Sequence, residues 1–136
     1  MLDTLTKHAD NLKNIFELEG EEGQFEYLID VGKKKLPLNT EDKTDGNKMS
    51  GCLAQVWIKF YKKEGKNYFE GDSDALIVKG LVIIITEALS GLTNEEIKNL
   101  KHDIVNMLGL GPSLSARRQV GMMSMVDHIK IITGVK

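Results

Sequence analysis

The chain has 136 residues, of which 41% are hydrophobic and 28% charged, the profile of one soluble globular domain. Eighteen basic and twenty acidic side chains give a net charge of −2, so the chain lacks the basic excess that binding to nucleic acid requires. The single cysteine, Cys52, excludes an internal disulfide and a multi-cysteine metal or cluster site within one chain. We therefore expect residues 1–136 to form one domain without a resident metal or cofactor.

The compartment is also suggested by the sequence. Asp3 stands where a secretory signal would carry a basic residue, so no export is indicated. The longest uninterrupted apolar run, residues 81–85, is far shorter than the roughly 20 residues that span a bilayer. A lone thiol is typical of a reducing compartment. These features predict a cytoplasmic protein with no membrane partner.

Two helices are predicted in the N-terminal third of the chain. Apolar residues recur at helical spacing over residues 2–16 and again over residues 25–29, and the glycine-containing run 19–23 interrupts the pattern. The lysines at 33–35 suit the carbonyl end of the second helix. Residues 39–48 are polar and are predicted to form a loop that leads to Cys52.

A β-hairpin is predicted after this loop. Apolar side chains alternate with others over residues 54–61, which is the pattern of a strand with one face buried. Residues 62–66 form a short loop that contains a glycine, and residues 67–70 return as the partner strand. Residues 72–74, Asp-Ser-Asp, are then expected to cap the next helix.

Three helices are predicted in the remainder of the chain. Residues 75–89 are apolar nearly all round, a pattern that also fits a buried strand, but length and capping favour a central helix. Thr93 and Glu96 form a capping-box pattern for a helix toward Leu108. Ser115 can cap a final helix with a broad apolar face, which comprises Met122, Met125, Val126, Ile129 and Ile132. The predicted class is α+β, a small antiparallel sheet, the hairpin plus a possible third strand, packed against several helices.

Cys52 is the first candidate for chemistry. It follows Gly51 at the end of a polar loop and precedes a strand, which suits a nucleophile, yet a free cysteine is equally often a small buried hydrophobe. An unperturbed thiol is only about 3% thiolate at pH 7, so nucleophilic use needs a nearby cation or another activating partner. Arg117 and Arg118 could supply that charge.

Other candidate side chains have simpler interpretations. A cysteine hydrolase would need a histidine base, and the chain offers three: His8, His102 and His128. His102 and His128 lie among charged neighbours on amphipathic helices and are expected to be solvated. Glu70, Asp72 and Asp74 could suggest a metal site, but helix capping explains the two aspartates more simply.

Three stretches of the chain carry more specific motifs: Asn47-Lys-Met-Ser-Gly-Cys52-Leu-Ala-Gln-Val-Trp57, Gly71-Asp-Ser-Asp-Ala-Leu-Ile-Val-Lys-Gly-Leu81 and Leu114-Ser-Ala-Arg-Arg-Gln-Val-Gly121. Taken together they resemble the SufE family of sulfur-acceptor proteins, in collinear order from about residue 12 to residue 131. Two departures stand out: Ala54 replaces a usual Ser, and Ala116-Arg117 replaces a usual Pro-Ser before Arg118. The first removes a hydroxyl beside the cysteine, and the second removes a proline at a helix start.

The resemblance implies a function and a set of site residues. It implies that Cys52 takes persulfide sulfur from a pyridoxal-phosphate cysteine desulfurase of the SufS or CsdA type, stimulates that enzyme and relays the sulfur to an iron–sulfur cluster scaffold. It also implies a fold like that of iron–sulfur scaffold proteins, with Cys52 on a loop that swings out of a sheltered pocket. Asp74 and Arg118 match family positions that orient this loop or contact the partner. The chain would then be a covalent carrier and not an enzyme.

Three other functions are compatible with parts of the sequence. A cysteine-dependent hydrolase or transferase would turn over substrate alone, but no catalytic histidine spacing supports it. A cluster scaffold would need more ligands than one cysteine. A plain interaction module would be indifferent to the replacement of Cys52 by Ser.

Overall fold

The computed structural model of the protein describes residues 3–49, 54–100, 106–108 and 116–135, with backbone alone for 106 and 116–119. The helices and strands, in chain order, are α1 (Asp3–Lys34), β1 (Lys48–Met49), β2 (Val56–Lys63), β3 (Lys66–Ser73), α2 (Leu76–Leu89), α3 (Asn94–Lys98) and α4 (Ala116–Thr133). Single 3₁₀ turns occupy Thr40–Asp42 and Asn106–Leu108. The predicted α+β class is confirmed.

Helix α1 is broken at Gly20. The backbone there has φ 70° and ψ −155°, values that a glycine adopts at little cost. The Gln24 side chain donates to the Leu12 carbonyl at 3.0 Å, and the His8 ring lies 2.6 Å from the Tyr27 hydroxyl. In a straight helix residues 8 and 27 would be about 28 Å apart. The two halves of α1 therefore fold back on each other, which confirms the predicted interruption at residues 19–23.

The sheet has three antiparallel strands in the order β1-β2-β3. Glu64 and Gly65, with φ values of 52° and 77°, form the turn between β2 and β3. Positive φ at both positions is the geometry of a type I′ turn, which matches the twist of a hairpin. The hairpin is thus confirmed, but its loop is two residues long and not the five predicted. The possible third strand is present as β1.

Alternation along β2 gives the sheet a core face and an outer face. Val56 and Ile58 are fully buried against the core, as predicted. Trp57 and Lys59 point to the outer face, and Asp72 is the cross-strand partner of Trp57 on that face. The outer face therefore places a buried carboxylate beside an aromatic ring, close to the strand end from which the chain runs back to Cys52.

Helix α2 is the buried centre of the fold, as its apolar sequence predicts. It packs against α1 on one side and against β3 on the other. At Gly80 the two helices meet backbone to backbone, since a Cβ placed there would lie 2.1 Å from the Leu28 carbonyl oxygen. A Cβ at Gly71 on β3 would lie 2.2 Å from Val82 of α2. Because Gly80 and Gly71 have no side chain, α2 can approach both α1 and β3 closely.

The outer edge of β3 is covered by the turn that comes after α2. The Asn67 amide donates to the Leu92 carbonyl at 2.8 Å, and the Gly91 amide donates to the Asn67 carbonyl at 2.7 Å. The Phe69 amide donates to the Ser90 hydroxyl at 3.0 Å. The polar backbone groups along this part of the edge are therefore paired within the molecule.

The last two helices confirm some expectations and correct one. Thr93 and Glu96 form the predicted capping box at the start of α3. Helix α3, however, ends at Lys98 and does not extend toward Leu108. The buried side of α4 is the predicted one and comprises Met122, Met125, Val126 and Ile129. The expected cap at Ser115 lies outside the described residues.

Candidate functional site

Cys52 lies outside the described residues, and the structure describes the chain up to Met49 and again from Ala54. Met49 is the cross-strand partner of Val56, and the Ile58 amide donates to the Asn47 carbonyl at 2.8 Å. Cys52 is three residues from Met49 and three from Gln55, so its Cα lies within about 11 Å of the Cα of each. The position of these two flanking residues therefore limits where the thiol can go.

Asp74 fixes the chain where it leaves the Cys52 segment. Its carboxylate accepts hydrogen bonds from the Gln55 backbone amide at 2.9 Å and from the Gln55 side chain at 3.1 Å. The Asp74 amide donates to the Gln55 carbonyl at 3.3 Å. Three hydrogen bonds thus join the end of β3 to the residue that precedes β2.

Asp72 contacts the chain on the other side of the Cys52 segment, a role different from the helix cap that its sequence predicts. Its side chain is only 2% exposed. The carboxylate accepts hydrogen bonds from the Leu38 amide at 3.1 Å and from the Ser73 amide at 2.8 Å. It also forms ion pairs with Lys43 at 3.2 Å and with Lys79 at 3.5 Å.

The pKa of Asp72 reflects these contacts. Burial by itself raises the pKa, but the hydrogen bonds and the two lysines outweigh it and hold the pKa below its usual value. The carboxylate is therefore ionised at neutral pH. Because the folded pKa is depressed, its contribution to stability is present above the ordinary aspartate pKa and is lost as pH falls through the folded value.

The expectation that residues 72–74 cap α2 with aspartate oxygens is wrong. The N-cap of α2 is Ala75, whose methyl side chain cannot accept a hydrogen bond from the helix amides. Strand β3 continues through Ser73, which aims Asp72 at the outer face, and Asp74 turns to Gln55. The Ser73 hydroxyl accepts from the Ala75 amide at 3.3 Å, a local turn contact.

Only the backbone of the two candidate arginines is described. The backbone of Arg117 and Arg118 lies in the first turn of α4, and their side chains are outside the described residues. Ala54, the departure nearest to Cys52, is half-buried and lies two residues before β2. The structure thus brings Asp74 to the flank of the Cys52 segment, whereas the expected role of Arg118 stays a prediction.

Comparison with known proteins decides the family. The family model described as SufE, Fe–S metabolism associated domain, matches residues 9–133. The chain belongs to the SufE family. A SufE-like protein of Synechocystis is 42% identical over 98 residues, covering 72% of this chain and 62% of that protein. An uncharacterized SufE-like protein of Rhizobium etli is 38% identical over 118 residues, covering 83% of this chain and 80% of its own length.

A longer relative and a solved structure complete the comparison. SufE-like protein 1 of Arabidopsis thaliana, described as chloroplastic/mitochondrial, is 32% identical over 127 residues. This chain spans only 34% of that protein's length. A solution structure of a hypothetical protein from Thermus thermophilus superposes with a TM-score of 0.67 over 91% of both chains at 15% identity, which supports the fold alone. Membership in the SufE family associates the chain with Fe–S metabolism.

One histidine of this SufE-family chain, His128, differs from its expected setting. His8 lies against Tyr27. Its pKa is lowered, mainly by burial and further by Lys7, although the negative charge of Glu87 acts in the opposite direction. His128 is half-buried, its Nε2 has no hydrogen-bond partner among the described residues, and burial lowers its pKa. The expectation that His128 is solvated is therefore wrong. His102 lies outside the described residues.

Clusters of metal-ligating side chains and helices of membrane-spanning length are both absent from the part of the SufE-family chain that the structure describes. Among residues that the structure describes, no three histidine, cysteine, aspartate or glutamate side chains converge as a metal site requires. Asp72 and Asp74 are instead occupied by lysines, backbone amides and Gln55. Across those same ranges of the chain, no helix has the length and apolar character needed to traverse a bilayer.

Proposed function

We propose that this SufE-family protein is a covalent sulfur carrier that accepts persulfide sulfur from a cysteine desulfurase onto Cys52. It stimulates the desulfurase and passes the sulfur to an iron–sulfur cluster scaffold. The observation that carries the proposal is the position of Cys52, which is the chain's only thiol and stands three residues from each of two flanking residues that are held in place. A single thiol between two fixed flanking residues suits delivery of sulfur between two partners.

The chemistry requires one thiolate and no acid–base pair. The Cys52 thiolate attacks the outer sulfur of the desulfurase persulfide, a new S–S bond forms, and the old S–S bond breaks. The desulfurase cysteine leaves as a thiolate, and Cys52 becomes the persulfide, with no net oxidation or reduction. The desulfurase supplies the pyridoxal phosphate, so this chain needs no cofactor. It acts as a carrier and activator and not as an enzyme.

The setting of the carrier is consistent with the same chemistry. A free thiol and a persulfide persist best in a reducing compartment, which supports a cytoplasmic location. Residues 1–136 act as one SufE-like domain whose partners are the desulfurase and the scaffold, with no part for nucleic acid or membrane. Asp74 orients the Cys52 segment through Gln55, and Arg118 orients the same segment or contacts the desulfurase.

Sulfur uptake tests the function directly. Incubation with a cysteine desulfurase and free cysteine is expected to add about 32 Da per sulfur atom to this chain, and Cys52→Ser is expected to take up none. Intact-mass spectrometry measures the adduct, and desulfurase turnover with and without each protein measures stimulation. An adduct on the Ser variant, or none on the wild type, contradicts the carrier role. Turnover by the isolated protein would instead favour a hydrolase or transferase.

Arg118 has its own matched test, because Arg117 is its neighbour in the same helical turn. Arg118→Ala is expected to lower desulfurase stimulation without lowering the melting temperature, since a guanidinium that pairs with a carboxylate or a carbonyl is hard to replace. Arg117→Ala is expected to be nearly silent. Stimulation and thermal melting are measured on both variants. Equal loss in the two, or a loss explained by unfolding, removes Arg118 from the site.

A further inference from the structure

Residues 38–47, which we call the strap, cross the outer face of the sheet before the chain enters β1. Within the strap the backbone bonds are short-range turns, such as the Asp42 amide to the Asn39 carbonyl at 2.9 Å and the Asn47 amide to the Thr44 carbonyl at 3.1 Å. Only at its last residue does the strap backbone bond the backbone of the described sheet, where the Ile58 amide donates to the Asn47 carbonyl. None of its ten residues is buried. Apolar burial therefore cannot hold the strap in place, and its polar contacts with the sheet must do so.

Those contacts concentrate on two side chains of the strap and on Asp72. Lys43 pairs with Asp72 at 3.2 Å, and its ammonium lies 5.1 Å from the centre of the Trp57 ring. The Leu38 amide donates to the same Asp72 carboxylate at 3.1 Å. Asp42 pairs with Lys59 at 3.3 Å. Asp72 is thus the one carboxylate of the described sheet that holds the strap at two points.

The strap leads directly to Cys52. It is followed by β1, which has only two residues, and a pairing this short is too weak to fix the chain by itself. Asp72 holds the chain before β1, and Asp74, two residues further along, holds it at Gln55. The end of β3 therefore contacts the chain on both sides of the Cys52 segment.

We infer that Asp72 and Lys43 are positioning residues for Cys52, which fix the entering end of its segment as Asp74 fixes the leaving end. The consequence for sulfur transfer rests on the proposed function. The inference that Asp72 and Lys43 fix the chain before Cys52 does not rest on it, because it concerns the isolated protein. With the described chain held on both sides of Cys52, a partner protein meets these flanking residues in one fixed position.

Lys43 is the better residue to change. Removing Asp72 would leave two lysine charges without their partner, whereas removing Lys43 leaves Asp72 paired with Lys79 at 3.5 Å. Lys43→Met keeps the apolar stem over Trp57 and deletes only the charge. Lys43→Arg restores the charge. Lys62→Met is the matched control, because Lys62 is exposed on the hairpin and bonds Asn94, away from the strap.

Two measurements on the isolated protein report on the entering end. In Lys43→Met, amide hydrogen exchange over residues 38–49 is expected to accelerate, and the rate of Cys52 alkylation by iodoacetamide is expected to rise several-fold. When the alkylation rate is measured against pH, its plateau at high pH reports how accessible the thiol is, and this plateau should rise. The midpoint of the curve reports the thiol pKa and should stay unchanged. Lys43→Arg and Lys62→Met are expected to match the wild type in both measurements.

Sulfur uptake from a desulfurase is expected to change in the opposite direction. A small alkylating reagent needs only access, but a protein partner needs the thiol in register, so Lys43→Met should accept sulfur more slowly than the wild type. A wild-type chain that takes up no sulfur would overturn the proposed function and leave the positional inference intact. Unchanged exchange and unchanged alkylation in Lys43→Met would overturn the positional inference, whatever the desulfurase does.

Two further variants cover the case in which Lys43→Met fails to fold. Asp42→Asn breaks the Lys59 pair of the same strap at a half-buried site and leaves the Asp72 contacts in place. It is expected to raise exchange and alkylation only slightly, because Lys43 and Asp72 still hold the strap. Lys43→Ala, which deletes the charge and the stem together, is expected to raise both rates several-fold. Wild-type rates in Lys43→Ala would reject the positioning role, even if Lys43→Met is unfolded.

Discussion

Ile84→Asp is expected to destabilise the protein by about 4 kcal/mol or more, a large part of the stability of a domain this size. Ile84 is fully buried at the centre of α2, between α1 and the sheet. An aspartate there would be a charge without a partner in an apolar site, and it would also leave unfilled the space that the isoleucine occupies. Urea denaturation monitored by circular dichroism gives the free energy of unfolding.

The control for this variant introduces the same residue at the surface. Lys63 is exposed at the end of β2, beside the hairpin turn, and Lys63→Asp is expected to change the free energy of unfolding by no more than about 0.5 kcal/mol. If the two variants unfold at the same urea concentration, α2 is not the core of the fold.

Gly80→Ala is expected to destabilise the protein by about 3 kcal/mol, although alanine is the better helix former by about 1 kcal/mol. The added methyl would lie 2.1 Å from the Leu28 carbonyl oxygen, which is backbone and cannot rotate away. Helices α1 and α2 would have to separate. The free energy of unfolding and the melting temperature measure the effect.

Gly32→Ala is the matched control, because Gly32 lies on α1 in the same helix contact. A Cβ at Gly32 has its nearest neighbours at 3.4 Å, the Gly80 amide nitrogen and the Leu76 carbonyl oxygen, so the methyl is nearly accommodated. The helix preference for alanine then offsets the small crowding, and stability should change little. A Gly80→Ala protein as stable as Gly32→Ala would mean that the two helices do not touch at this point.

Local sequence patterns predict much of the fold because helices, caps and turns depend on residues that are close together in the chain. A long and uniformly apolar run indicates α2, a Thr-x-x-Glu spacing indicates the cap of α3, and glycines indicate the break in α1. The five-residue hairpin loop was predicted too long because Glu64 is not a typical residue for positive φ. The helical pattern toward Leu108 gave no indication that α3 would end at Lys98.

The candidate site was harder to predict because its contacts join distant parts of the chain. Motif resemblance supplied Cys52, Asp74 and Arg118. The sequence predicts a helix cap at Asp72 because Asp-Ser-Asp before an apolar run is a typical capping pattern. The weaker, competing pattern is the two-residue alternation of a strand: Asp72 continues the alternation of β3 and stands opposite Trp57. Lys43 and Leu38 are 29 and 34 residues away from Asp72, beyond the reach of any local pattern.

The covered edge of β3 has a consequence for behaviour at high concentration. An unpaired strand edge is a template onto which a second chain can add by backbone hydrogen bonding, a first step toward fibrils. In this sheet the Ser90 hydroxyl and the backbone of Gly91 and Leu92 already occupy the edge at Asn67 and Phe69. On the opposite side β1 covers Val56 and Trp57, and the rest of that edge is β2 itself, which carries lysines at 59, 62 and 63. Lysines along an edge strand disfavour the addition of another strand. The described sheet is thereby protected at both edges from pairing with copies of itself.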